Sequence, residues 1–106
     1  MGYACPKFGE TTEIGATFTE RDGTAFTITA ATVTIVASSG GTALRDDVAA
    51  TVSGGTVYYI ETFSAANGYE EDVEYTATFK ATISLGGTTY VEKHEDIFTV
   101  EGVADE

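Results

Sequence analysis

Between Val73 and Leu85 the chain reads V-E-Y-T-A-T-F-K-A-T-I-S-L. Every odd position there (Val73, Tyr75, Ala77, Phe79, Ala81, Ile83, Leu85) is apolar and every even one is polar. A period of two predicts a β-strand with one dry face and one wet face. Helical periodicity is almost absent elsewhere, so the dry face has to be covered by a second sheet, and the fold is expected to be all-β. Before this strand, Ile14, Ala16 and Phe18 alternate with Gly15, Thr17 and Thr19, which predicts a first strand at an edge. Asp22-Gly23 marks a turn. Phe26 and Ile28 lie on one side of a short piece at 25–28, and Val33, Ile35 and Ala37 face inward from another at 32–37, where Val36 interrupts the alternation.

Ser38-Ser39-Gly40-Gly41 ends that strand, and 42–45 is expected to add a short edge before Asp46-Asp47. Segments 48–52 and 56–63 flank Ser53-Gly54-Gly55 and predict a hairpin whose glycines take positive φ. In its second arm Val57, Tyr59 and Phe63 share a face with Glu61, and Tyr58 and Ile60 take the other. The stretch 64–69, centred on Asn67-Gly68, crosses over into the main strand. After Gly86-Gly87 the last segment runs from Thr88 to Val100. Pairing Leu85 with Thr88 would put Glu92, His94 and Asp96 on the face of Ala81, Phe79 and Ala77, which a dry core does not tolerate. A β-bulge or kink within 93–96 is therefore expected, leaving Tyr90 or Val91 on a projecting hairpin arm while Phe98 and Val100 close the core. In total the pattern predicts an immunoglobulin-like sandwich of about seven or eight antiparallel strands in two sheets. Residues 13–101 form it, 1–12 are an arm anchored by Phe8, and 102–106 are an acidic tail.

Composition agrees and removes some functions. The 106 residues suffice for one two-layer core, burying roughly 65% of the extended-chain surface. Five Lys and Arg against seventeen Asp and Glu leave a net charge of −12, the sign of phosphate and of anionic lipid heads. Nucleic acid and membrane surfaces are thus disfavoured as partners. The only cysteine, Cys5, excludes an internal disulfide and a four-cysteine zinc site. The first ten residues lack the apolar core of a secretory signal, so synthesis and residence in the cytoplasm are expected. Gly2 does not fit a myristoylation signal, since Pro6 stands where that pattern needs Ser or Thr. Cys5 likewise lacks the apolar stretch of a lipoprotein cleavage site.

Candidate chemistry is sparse. His94, the only histidine, lies among Lys93, Glu95 and Asp96, and none of the five serines sits in an elbow-like motif beside which it would act. Cys5 has no histidine in its sequence context. No cofactor is expected. The acidic groups Glu20 with Asp22, Asp46 with Asp47, and Glu70, Glu71 and Asp72 could take up adventitious calcium, against the plainer reading of a charged, solubilising rim. Tyr58, Tyr69 and Tyr90 fall on positions expected to be outward or near loops, and exposed tyrosines anchor interfaces. Tyr90 with Val91, on the Gly86-Gly87 hairpin, is the leading candidate contact with a neighbouring subunit.

Glu71, Val73, Tyr75 and Ala77 stand at alternate positions in a way that resembles the tyrosine corner of immunoglobulin-like and fibronectin-like domains. Ala77 takes the place of the antibody cysteine, so the likeness is to disulfide-free relatives. It implies that the Tyr75 hydroxyl bonds to backbone a few residues upstream. More of the chain, across residues 13–101, is similar to the small Ig-like domains of tailed-bacteriophage virion proteins. The motifs that carry this are Asp22-Gly23, Ala31-Thr32-Val33-Thr34, Gly55-Thr56-Val57-Tyr58-Tyr59, Gly68 leading to Tyr75-x-Ala77-x-Phe79, and Phe98-x-Val100. A short chain starting at its own methionine also suits a head-to-tail, tail or decoration component. The resemblance implies a non-enzymatic assembly role in a phage or prophage particle. Other virion proteins are its expected partners, self-association into a homo-oligomer is an option, and its location is the host cytoplasm and then the virion. The alternative is an Ig-like module whose loop tyrosines bind a carbohydrate or a protein.

Overall fold

A computed structural model describes residues 6–18 and 26–102. Within them the chain forms seven strands: β1 (Thr11–Thr17), β2 (Thr27–Ala37), β3 (Arg45–Ala49), β4 (Thr51–Ser53), β5 (Thr56–Thr62), β6 (Val73–Leu85) and β7 (Thr88–Val100). All pairings between them are antiparallel. One sheet has the order β1-β5-β4 and the other β3-β2-β6-β7. This is the arrangement of an immunoglobulin-like sandwich, with β1, β5 and β4 in the places of strands B, E and D, and β3, β2, β6 and β7 in those of C′, C, F and G. A lone parallel bridge, Lys7 to Glu101, stands where a first strand would run beside the last.

The alternation of β6 translates directly into layers. Tyr75, Ala77, Phe79, Ala81 and Ile83 are all buried, and across the interface they meet Ile14, Phe18, Val57 and Phe63 of the other sheet's strands and loops. β6 sits at the centre of its sheet, paired on both sides along nearly its whole length. Next to it, Val33 and Ile35 of β2 are fully buried.

Several expectations change. The pieces at 25–28 and 32–37 are joined in one strand, because a bulge between Ile28 and Ala30 absorbs Thr29 and lets both Ile28 and Ala31 face the core. The edge expected at 42–45 forms three residues later, as β3. The strand expected at 48–52 is split at Ala50: Val48 belongs to the sheet of β2 and Val52 to that of β5. The hairpin at 53–56 is present, though Gly54 alone of its glycines has positive φ.

The bulge expected within 93–96 is absent. β6 and β7 stay in one unbroken register from Leu85↔Thr88 to Val73↔Val100, and Glu92, His94 and Asp96 do face inward. Each polar side chain is accommodated singly. Asp96 is buried and takes a hydrogen bond from the backbone amide of Gly15 on β1. The His94 ring lies 4.2 Å from that of Phe18 and carries Glu92 beside it at 3.8 Å. A neighbour in the opposite layer thus does what a change of register would have done. Cys5, Glu20, the Asp22-Gly23 turn and the last four residues lie outside the described residues.

Candidate functional site

Among the described residues the two sheets have four edge strands, and three are blunted. β4 is three residues long. β3 carries Asp47 at φ 55 and a register shift against β2 between Val33 and Ile35, both of which spoil a straight template. The outer side of β1 is met by the inward-pointing Asp96 at Gly15. β7 is different: thirteen residues, regular throughout and paired with β6 on one side.

The direction of its backbone groups follows from the ladder. Ser38 N–H donates to Glu74 C=O, so even residues of β6 bond towards β2 and odd ones towards β7. The odd residues of β6 pair with even residues of β7, and the odd residues of β7 therefore present their N–H and C=O groups away from the sheet. Glu101, the next odd residue after Thr99, shows this directly: its N–H donates to Pro6 C=O and its C=O accepts from Phe8 N–H. Among the described residues, no strand pairs with this outer edge between Thr88 and Val100.

The same odd residues form the outer face. Val91 and Ile97 are each 56% exposed, two of three large apolar side chains so placed among the described residues, the third being Ile60 on β5. Lys93 and Glu95 lie between them, also exposed. The sequence pattern points to Val91 but not to Ile97 or Ile60, although an isoleucine on the wet alternation of a strand is an anomaly that could have marked both. Tyr90 lies half-buried on the inner face, packed against the core. Tyr58, also half-buried, stands on the outer face of β5 opposite Gly15 and Thr51.

Tyr69 is not the exposed anchor expected. It is 1% exposed, set edge-on to Phe63 and Tyr75, and its hydroxyl donates to Glu61 Oε2 at 3.0 Å. Burial first, then the Glu61 carboxylate, push that hydroxyl well above the usual tyrosine range. Glu61 also receives Arg45 from the opposite sheet, with Nη2 donating to Oε1 at 3.0 Å and Nε 2.7 Å from Oε2. Arg45, Glu61 and Tyr69 thus clamp the two layers together. The Tyr75 hydroxyl accepts from the Glu70 N–H at 2.9 Å and ties the crossover to β6.

Two further carboxylates among the described residues have shifted titration. Asp47 is bonded to the Thr32 hydroxyl at 2.6 Å and lies 3.4 Å from Lys80; these two hold its carboxyl below the ordinary range. Asp96 is shifted upward by burial, against the opposing pull of the Gly15 amide. No group of three or more His, Cys, Asp or Glu side chains placed to hold a metal ion occurs among the described residues. No helix among them is long and apolar enough to cross a membrane.

No family model matches this chain, and neither a curated protein nor a solved structure matches it.

Proposed function

We propose that the chain is a non-enzymatic assembly protein of a phage or prophage particle, a head-to-tail, tail or decoration component that works through protein–protein contacts. The observation that carries this reading is the open edge of β7 with Val91 and Ile97 exposed along its outer face. Edge strands of folded proteins are usually short, bulged or covered, because unpaired backbone groups recruit other strands. Here the other three edges are treated in that way and the longest is left open, as expected of a strand meant to meet a partner. The exposed large apolar side chains are aliphatic, and Tyr69 and Tyr75 are buried, which favours a packed protein contact over a platform on which a sugar would stack. The surface charge adds to this, since an acidic exterior keeps such a component soluble before it is built in.

The test is to purify particles from producing cells on a density gradient and quantify the chain by mass spectrometry. A fixed ratio of this chain to the other particle proteins is expected. Recovery of the chain only at the top of the gradient, free of particles, overturns the reading.

A further inference from the structure

The outward-facing residues of β7, in order, are Thr89, Val91, Lys93, Glu95, Ile97 and Thr99. Read backwards, the series has the same chemistry with the charges exchanged: hydroxyl, aliphatic, acid, base, aliphatic, hydroxyl. A strand with this pattern is complementary to a reversed copy of itself. We propose that two copies of the chain join edge to edge through β7, antiparallel about a two-fold axis at His94, giving one continuous sheet with four strands from each copy.

The register follows from the residues. Centring on His94 sets Lys93 against Glu95, Val91 against Ile97 and Thr89 against Thr99 of the second copy, each pair occurring twice by symmetry. All are odd residues, whose backbone groups face outward, so each pair is a directly opposed, hydrogen-bonded pair of a regular ladder. Cross-strand pairs of opposite charge and of aliphatic side chains favour association, and opposed like charges disfavour it. Moving the axis by one residue either way sets Lys93 against Lys93 or Glu95 against Glu95 and places a charge opposite an aliphatic side chain. Slipping the pairing by a single residue instead opposes outward-facing backbone groups to inward-facing ones. In a chain with seventeen acids and five bases, a local stripe with one of each at mutually complementary positions is the place where a second copy meets least repulsion. On the inner face the same register places Glu92 opposite Asp96 of the other copy, a pair of acids that keeps the association reversible. The arm bound at Glu101 marks where the open stretch ends.

The inference rests on the assembly reading and names its partner, but the isolated chain tests it without any particle. Sedimentation velocity of the full chain should show a concentration-dependent dimer. K93E or E95K alone opposes like charges twice and should weaken dimerisation about tenfold. The double variant K93E/E95K restores both pairs in reverse and should return it to within about threefold. Circular dichroism confirms that each variant is folded. Register is read separately in a C5S background: V91C/I97C should form a disulfide-linked dimer under mild oxidation and V91C/E95C should not. A chain that stays monomeric up to millimolar concentration, a double variant as weak as the singles, or crosslinking of V91C/E95C in preference overturns the pairing. None of these results bears on whether the chain sediments with particles.

Discussion

Arg45, Glu61 and Tyr69 show how much one polar contact can matter inside this sandwich. Glu61 is 5% exposed and its charge is answered chiefly by Arg45. Arg45→Met should cost about 3–5 kcal/mol in urea unfolding, because it leaves a buried carboxylate unpaired. Adding Glu61→Gln should recover much of that loss, whereas two independent costs would add. Asp96 gives the opposite case. Burial raises its pKa, so the folded state binds the proton more readily than the unfolded chain. Between the ordinary aspartate range and the raised value the native state carries more protons, and stability falls as pH rises through that window. Asp96→Asn keeps an acceptor for the Gly15 amide and removes the charge. It should stabilise the protein at pH 7, with a gain that shrinks as the pH is lowered through the raised value and is gone once the ordinary aspartate range has been passed, as read in parallel melts. At this scale the sequence discloses half of each contact. Glu61 is visible on the inward alternation of β5, but Arg45 reaches it from an edge strand of the other sheet, and no local pattern links the two. Tyr69 looks outward in the sequence because it adjoins a turn; only the rings of Phe63 and Tyr75 around it show that it is enclosed.

Among elements, β6 is the most legible, since a buried centre strand with one dry face writes its period into every residue. Phe79→Ala should cost about 3–5 kcal/mol, and Thr78→Ala on the wet face should stay within roughly 0.5 kcal/mol. Equal losses in chemical denaturation would reverse the two faces. β7 misleads for a reason internal to strands. Polarity alone counts Glu92, His94 and Asp96 as wrong for an inner face, but the face is only as dry as the layer opposite makes it. Gly15, the Phe18 ring and the half-exposed position of His94 make the straight register tolerable. The turn that sets this register is legible and testable. Gly86 and Gly87 both have positive φ, the conformation of a two-residue loop between Leu85 and Thr88. Gly87→Val should destabilise by about 1–2 kcal/mol through backbone strain. Gly86→Asn, a residue that accepts this conformation, should stay close to the original in thermal melts.

For the molecule as a whole, strand count and two-layer architecture can be read from the spacing of turns, but the order of strands in the sheets cannot. The change of sheet at Ala50 decides that order, and the sequence there is an ordinary run of valine, alanine and threonine. Function is least legible, because a surface for assembly is defined by what is left unpaired, and that depends on the completed topology. The charge of −12 is a property of the whole chain and opposes its own compactness. Raising ionic strength from a few millimolar to physiological salt should increase the melting temperature by several degrees, as screening removes long-range self-repulsion. A melting temperature that falls with salt would mean that local ion pairs such as Arg45 with Glu61 outweigh the net charge.

The positive φ of Asp47 limits how far association can proceed once two β7 strands have met. The sheet proposed for two copies would end on both sides in β3, and β3 carries the positive φ of that aspartate. Neither margin offers a straight ladder to a third chain. Growth of the proposed assembly would therefore stop at a closed pair, and an acidic protein with one open border would have no route to fibres through this sheet.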